Sequence, residues 1–190
     1  MMEMYQSVNW PHESLRDTHQ DGVTEAYIAE AVCAVLKAKG GHPVVLETGG
    51  FLGITSAWLA LTLAKMGGGD LTVCEIDPER STKILTRLGG LDLPETVQSR
   101  VANDDVLQYV ATLPDRSLDF VWLDDDHQKH HVATEVKNLW PKMKPWGIIA
   151  MHDVWGVCDL QTVCKSFGGV PLNFPRLGPA GGLGLIQVPA

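Results

Sequence analysis

Glu47-Thr48-Gly49-Gly50-Phe51-Leu52-Gly53-Ile54-Thr55-Ser56 follows an apolar run, Val44-Val45-Leu46, and leads into Ala57-Trp58-Leu59-Ala60-Leu61. The run before it reads as a buried strand, and the apolar residues after it can cover one helical face. Strand, glycine turn and helix in that order bring backbone N–H groups and a helix N-terminus to one point, ready for a polar ligand. Gly67, Gly68 and Gly69 stop the helix, and a second apolar strand, Leu71-Thr72-Val73-Cys74, ends on Glu75-Ile76-Asp77-Pro78. This is the nucleoside-binding half of a doubly wound sheet, with the terminal carboxylate suited to a ribose diol.

The type of nucleoside follows from the glycines. A dinucleotide fingerprint needs glycine at its first, third and sixth positions, so that backbone can press against a pyrophosphate. Counted from Gly49, those places hold Gly49, Phe51 and Ile54. Glu47, just ahead of the turn, would repel a pyrophosphate and attract a cation. A cationic nucleoside fits better, and S-adenosylmethionine, with its sulfonium and ammonium groups, is the common one.

Glu47-Thr-Gly49-Gly-Phe-Leu-Gly53-Ile-Thr55, followed by Val73-Cys-Glu75-Ile-Asp77-Pro78, resembles the class I S-adenosylmethionine-dependent methyltransferases. Within them it is most similar to the small catechol- and caffeoyl-coenzyme-A-type O-methyltransferases and their bacterial relatives. Their first motif reads Glu-x-Gly-x-x-x-Gly-x-Ser; this chain has threonine last, which keeps the hydroxyl. The likeness runs from about Val44 to Val188. It implies a three-layer α/β Rossmann-like sheet, mostly parallel, closed by a C-terminal antiparallel hairpin. It also implies cofactor contacts at Glu47, Thr48, Gly49, Gly53, Thr55, Glu75, Asp105 and Asp124.

Length and composition agree with one domain, 1–190, in which 1–21 form a flexible arm and 22–190 the core. The chain has 190 residues, 45% apolar and 20% charged, as in a soluble globular protein. No stretch approaches the ~20 apolar residues of a membrane span. The N-terminus lacks a basic region followed by an apolar core, so no export signal is expected. Cys33, Cys74, Cys158 and Cys164 lie far apart, as expected of reduced thiols in a cytoplasmic protein. The net charge of −8 and the lack of a basic stripe weigh against a nucleic-acid substrate.

Residues 1–21 suit a short arm, and Val23 to Lys39 keep helical spacing, capped by Thr24 or Asp21 and ended by Gly40-Gly41. Pro78 to Leu88 reads as an amphipathic helix. Val97 to Ala102 is a third strand with Asn103-Asp104-Asp105 at its end. In similar methyltransferases an acidic side chain there accepts from the adenine amine. Asp105 matches best, with Asp104 as the rival, and either can instead cap the helix Val106 to Leu113. Leu118 to Leu123 is apolar enough for a strand buried on both faces. It runs into Asp124-Asp125-Asp126-His127-Gln128-Lys129-His130-His131. A helix from Val132 to Trp140 stops at Pro141. Pro145-Trp146-Gly147 reads as a turn into a fifth strand, Ile148 to Met151, which ends on His152-Asp153. A last helix from Val154 to Phe167 precedes two strands, Val170 to Phe174 and Leu183 to Val188.

Ligands of open α/β sheets bind outside the carboxyl ends of the strands, where strand order reverses. Glu47 to Gly53, Asp124 to His127 and His152-Asp153 should therefore converge. Methyl transfer needs a nucleophile held behind a carbon already activated by the sulfonium, and a route for its proton. Two mechanisms follow. In the metal-dependent catechol-like enzymes, carboxylates after the fourth and fifth strands hold magnesium. The matching positions here are Asp124 (or Asp126) and His152-Asp153, and the imidazole tilts the site towards a transition metal. Asp124 and His127, three residues apart, leave His127 as a further ligand in reach. The other mechanism needs no metal: His127, His130 or His152 acts as general base. Asp124, His127 and His152 are the catalytic candidates under one mechanism or the other. His131 is expected at the surface or at a helix cap, and Asp125 in solvent or at a helix start.

The expected reaction is methylation of a hydroxyl on a small-molecule acceptor, with or without a divalent metal. A nicotinamide-dependent oxidoreductase and a non-catalytic fold member that binds S-adenosylmethionine are the alternatives. With so few residues outside the core, a second copy could complete the pocket, as in a homodimer.

Overall fold

Alternation along the strands sorts the core into two layers. Leu46, Val121, Leu123, Ile149 and Met151 point to one face of the sheet, and Val45, Phe120, Trp122 and Ala150 to the other. All of these are buried, as parallel strands covered on both faces require. The computed structural model describes residues 41–155, 159–173 and 182–190. The expected arm and the helix over Val23 to Lys39 lie outside them.

The described chain starts with β1 (Val44–Thr48), α1 (Ile54–Lys65), β2 (Gly69–Cys74), α2 (Pro78–Gly89), β3 (Val97–Ala102) and α3 (Val106–Thr112). It continues through β4 (Leu118–Leu123), α4 (Lys129–Leu139), a 3-10 turn (Trp140–Lys142) and β5 (Met143–His152). It ends with α5 (Leu160–Ser166), β6 (Val170–Leu172) and β7 (Leu183–Gln187). The seven strands lie in the order β3-β2-β1-β4-β5-β7-β6. β7 pairs antiparallel with both β5 and β6, and every other pairing is parallel. This is the mostly parallel three-layer sheet with a closing antiparallel pair that the residues imply. Helices α1 and α2 cover one face through Leu59, Leu63, Ile84 and Leu88. Helices α3, α4 and α5 cover the other through Val110, Val132, Val136, Leu160 and Val163. The chain winds outward from β1 to β3, then returns to β4 beside β1. The resulting crevice opens between β1 and β4.

Several boundaries differ from the sequence expectation. Helix α1 begins at Ile54, because Gly53, at φ 76°, turns the chain directly into it. Helix α4 begins at Lys129, ahead of Val132, and Pro141 falls inside the 3-10 turn that follows Leu139. The last helix is confined to Leu160–Ser166. Asp159, in the left-handed conformation at φ 54°, cannot continue a right-handed helix from Val154. Pro145-Trp146-Gly147 is a bulge inside β5, where pairing with β4 jumps from Leu118↔Met143 to Phe120↔Ile148. Below it, Asp119 accepts from the Val44 N–H at 2.9 Å and from Lys144 Nζ at 2.6 Å, clipping β1, β4 and β5 together.

Candidate active site

The end of β2 shows how local structure presents a charged group. Glu75 follows the last residue of β2 and is buried. Its Oε2 accepts from the Phe51 N–H at 2.9 Å and its Oε1 from the Asp77 N–H at 3.0 Å. Each oxygen keeps a further lone pair, and the carboxylate still lines the cleft. Asn103, which the sequence reading passed over, braces the same corner: its Nδ2 donates to the carbonyls of Glu75 and Ile76. The glycine turn closes tightly against the next strand. A Cβ at Gly49, whose φ is 76°, would collide with the backbone of Asp124 and Asp125. Only glycine lets β1 and β4 approach this closely.

The cleft encloses about 680 Å³. Gly49, Phe51, Glu75, Ile76 and Arg80 line its β2 side, and Asp104, Asp105 and Val106 line the β3 end. Asp105 caps α3 by accepting from the Gln108 N–H at 3.1 Å and also lines the cleft, so the cap does not take it away from there. Phe51 and Ile76 are exposed apolar side chains on the rim. Seven carboxylates line the cleft against a single arginine, a field that draws cations and repels phosphates.

Four expected cofactor residues, Glu47, Thr48, Gly53 and Thr55, do not line this cleft. Glu47 and Thr48 are buried on opposite faces of β1, Gly53 packs against Ile84 of α2, and Thr55 lies half-buried on α1. Burial pushes the Glu47 carboxyl well above the usual carboxylate range. The Ser56 hydroxyl opposes that shift, and the charges of Asp124 and Glu75 add to it.

The opposite wall is built at the ends of β4 and β5. His152 Nδ1 lies 2.9 Å from Asp124 Oδ1, and the His152 ring packs 5.6 Å from that of buried Trp122. His127 Nε2 stands 3.5 Å from Asp124 and 3.7 Å from Asp153, and Asp153 is 3.6 Å from His152 Nε2. Burial, the largest influence on His152, lowers its pKa. The hydrogen bond and charge of Asp124, with the charge of Asp153, outweigh it and leave the imidazole above its ordinary value. Burial raises Asp153, partly countered by His152 and His127.

Donor atoms of Asp124, His127 and His152 all fall within 4.8 Å of one another. His127 Nε2 is buried with no hydrogen-bond partner among the described residues. A carboxylate and two imidazoles, one with an orphaned nitrogen, fit a divalent transition ion. Asp126 does not join them. Its Oδ1 accepts from the Gln128 N–H at 2.9 Å at the start of α4, and of the two alternatives it is Asp124 that joins His127 and His152. His130 is exposed on α4 and does not line the cleft. His131 and Asp125, expected at the surface, instead pair with each other at 2.9 Å. Buried Glu135 lies close by. The signal in the sequence was the spacing of Val132, Glu135, Val136 and Leu139, which puts Glu135 on the inward face of α4.

Comparison with known proteins accords with this geometry. No curated protein matches the sequence. Among solved structures, a Corynebacterium glutamicum protein superposes with a TM-score of 0.71 at 12% identity, over 100% of this chain and 96% of that one. The O-methyltransferase TomG from Streptomyces achromogenes, in complex with SAM, gives 0.69 at 15% identity, covering 100% and 95%. An O-methyltransferase from Bacillus cereus in complex with SAH gives 0.66 at 15%, covering 97% and 96%. These likenesses show the fold. A family model described as a methyltransferase domain matches residues 46–154, from β1 through the histidine–carboxylate wall, and the chain belongs to that methyltransferase family.

Proposed function

We propose that this chain transfers the methyl group of S-adenosylmethionine to a hydroxyl of a small molecule. The observation that carries the reading is one cleft with two unlike walls. Backbone donors present a buried carboxylate, Glu75, on one, and Asp124, His127, His152 and Asp153 meet on the other. Glu75 keeps lone pairs for the ribose hydroxyls. Asp105 faces the adenine end, and exposed Ile76 offers an apolar surface for the base. The excess of carboxylates suits the sulfonium and ammonium charges, as Phe51 and Ile54 unsuit a dinucleotide. Glu47, buried behind the turn, adds negative potential there rather than a direct contact.

The acceptor oxygen attacks the methyl carbon, the carbon–sulfur bond breaks, and the hydroxyl proton must leave. Asp124 accepts from His152 Nδ1, which leaves the lone pair on Nε2 to take that proton. Asp153, 3.6 Å from Nε2, stabilises the imidazolium that results. Asp124, His127 and His152 would alternatively hold a divalent ion, whose chemistry is to bind and acidify an oxygen. Under either arrangement Asp124 orients the groups that act on the acceptor.

The rest of the proposal is coarser. One domain acts on a small acceptor, in the cytoplasm. Among the described residues no helix is long and apolar enough to cross a membrane. Two buried free thiols, Cys74 raised to about 12 and Cys164 to about 11 by burial, suit a reducing compartment. Calorimetric titration with S-adenosylhomocysteine and with NAD tests the cofactor; heat with NAD alone would overturn the proposal. A methyl-transfer screen over hydroxylated acceptors, with and without chelator, tests the reaction and separates metal from histidine base.

A further inference from the structure

On the α4 side of the cleft lies a second group of ionisable side chains that the reaction above leaves unused. Asp125 follows Asp124 in the turn after β4, and His131 and Glu135 come from successive turns of α4. Donor atoms of the three lie within 4.8 Å of one another. The i,i+4 spacing places His131 and Glu135 on one helical face. That face packs inward through Val132, Val136 and Leu139. His131 Nε2 and Asp125 Oδ2 are 2.9 Å apart. Two donors bonded to one ion at right angles, each at ~2.1 Å, stand about 3 Å apart.

Three of the carboxylate oxygens here lack a hydrogen-bond partner in ordinary geometry. Glu135 is fully buried, and neither of its oxygens has a hydrogen-bond partner among the described residues; Asp125 Oδ1 is buried and equally unpartnered. A separate element reaches the same spot. Thr48 of β1 shares the sheet face of Leu46, is fully buried, and directs at Glu135 a hydroxyl without a partner by ordinary hydrogen-bond geometry. Two buried carboxyl groups facing one another are unfavourable when both are charged, and one hydroxyl can serve only one of their oxygens at a time; a cation between them removes the conflict.

The geometry points to a second divalent-cation site, formed by Asp125, His131 and Glu135 with the Thr48 hydroxyl beside it. Two carboxylates balance the two charges of the ion, which lets it sit in so enclosed a place. One imidazole among the ligands selects manganese, iron, cobalt or zinc over magnesium. The ion ties α4 to the end of β4 and to β1. Consecutive residues, Asp124 and Asp125, thus send their carboxylates to two different centres.

The test uses the full chain, stripped with chelator and titrated with Co²⁺, following visible absorbance, ion content after dialysis and the melting temperature. Glu135→Gln and His131→Ala are each expected to lose one bound Co²⁺ per chain relative to the wild type. Affinity at this centre should fall by more than the roughly 10- to 100-fold that loss of an outer-shell partner costs. His127→Ala, in the cleft cluster, should leave this ion in place. Equal Co²⁺ content in the wild type and both variants would overturn the proposal, as would a wild type that binds none. A Glu135→Gln chain that melts higher than a wild type indifferent to Co²⁺ would also overturn it, by showing that Asp125 and Glu135 merely share a proton. Binding of S-adenosylhomocysteine, measured in parallel, reports on the methyltransferase reading separately, since neither variant removes a group assigned to that ligand.

Discussion

The two walls of the cleft hold their charged groups by different means. On the β2 side the holders are backbone N–H groups. Phe51 and Asp77 donate to Glu75, Glu79 and Arg80 to Asp77, and Gln108 to Asp105. Backbone donors do not titrate; beside this wall, at the start of α2, they hold the Asp77 carboxyl below its usual range, first through the Arg80 N–H. On the β4–β5 side the side chains hold one another, and the shifts run upward at His152 and Asp153. The first wall is a socket whose charge is set by the chain path. The second takes its charge from whatever proton or ion is present. On the proposed function, the first wall would hold the methyl donor and the second would face the acceptor, where giving and receiving protons is of use.

The strongest way to break this contrast is Asp124→Ala, which removes the partner shared by His152 and His127. Turnover is expected to fall by about 100-fold or more, the scale of a lost acid–base element. An unchanged rate in a methyl-transfer assay would show that the side-chain wall does not act on the acceptor. Next, Glu75→Ala should weaken binding of S-adenosylhomocysteine by ~1.5–3 kcal/mol, the worth of hydrogen bonds to a charged group. Calorimetry that finds the wild-type affinity would remove Glu75 from the ribose.

Acidity separates the walls more finely. With His152 as base, turnover falls as pH drops through a value above the ordinary 6.5 of histidine, because the imidazole must be neutral to accept a proton. S-adenosylhomocysteine affinity should stay flat over the same interval. The stability consequence has the opposite sign. A folded value above the unfolded one means that the Asp124–His152 contact stabilises fully below pH 6.5 and loses this contribution as pH rises through the folded value. Melting temperatures of the wild type and His152→Gln, compared across that range, should converge towards the alkaline end; parallel curves would show that the imidazole gains no proton affinity on folding. The smallest effect belongs to Asp119→Asn, far from both walls. Loss of the charge facing Lys144 should lower stability by about 1 kcal/mol while leaving cofactor binding intact, checked by denaturant unfolding.

How much could be read in advance depends on how local the signal is. The glycine turn, Glu75, Asp105 and the strand ends at Asp124 and His152 were legible, because each follows from a run of a few residues and its hydrophobic period. The spacing of Asp124 and His127 also carried the inward turn of His127, whereas the turn of Asp126 to the Gln128 N–H depends on how the chain enters α4, which the run of carboxylates does not encode. The Asp125–His131–Glu135 group joins a loop to the inner face of a helix. Reading His131 alone, without Glu135 one turn on, sent it to the surface. Glu47 and Thr48 sit inside the motif, yet alternation along β1 sends them to opposite sides of the sheet, behind the cleft.

The bulge in β5 has a consequence for how such a site can change. From Leu118 to Phe120 the fourth strand advances two residues, while its neighbour advances five, from Met143 to Ile148. The surplus, five less two, is odd, and along an alternating strand an odd offset reverses which face each later residue meets. Continued past Leu123↔Met151, this count sets His152 across from Asp124. With the lower rungs clamped by Asp119, a loop one residue shorter would deliver Asp153 to that position and swing the imidazole away. The Asp124–His152 pairing is therefore metered by a loop around solvent-exposed Trp146, several rungs below the cleft. Insertions and deletions there offer evolution a vernier for exchanging acid–base equipment without replacing any residue that touches a ligand.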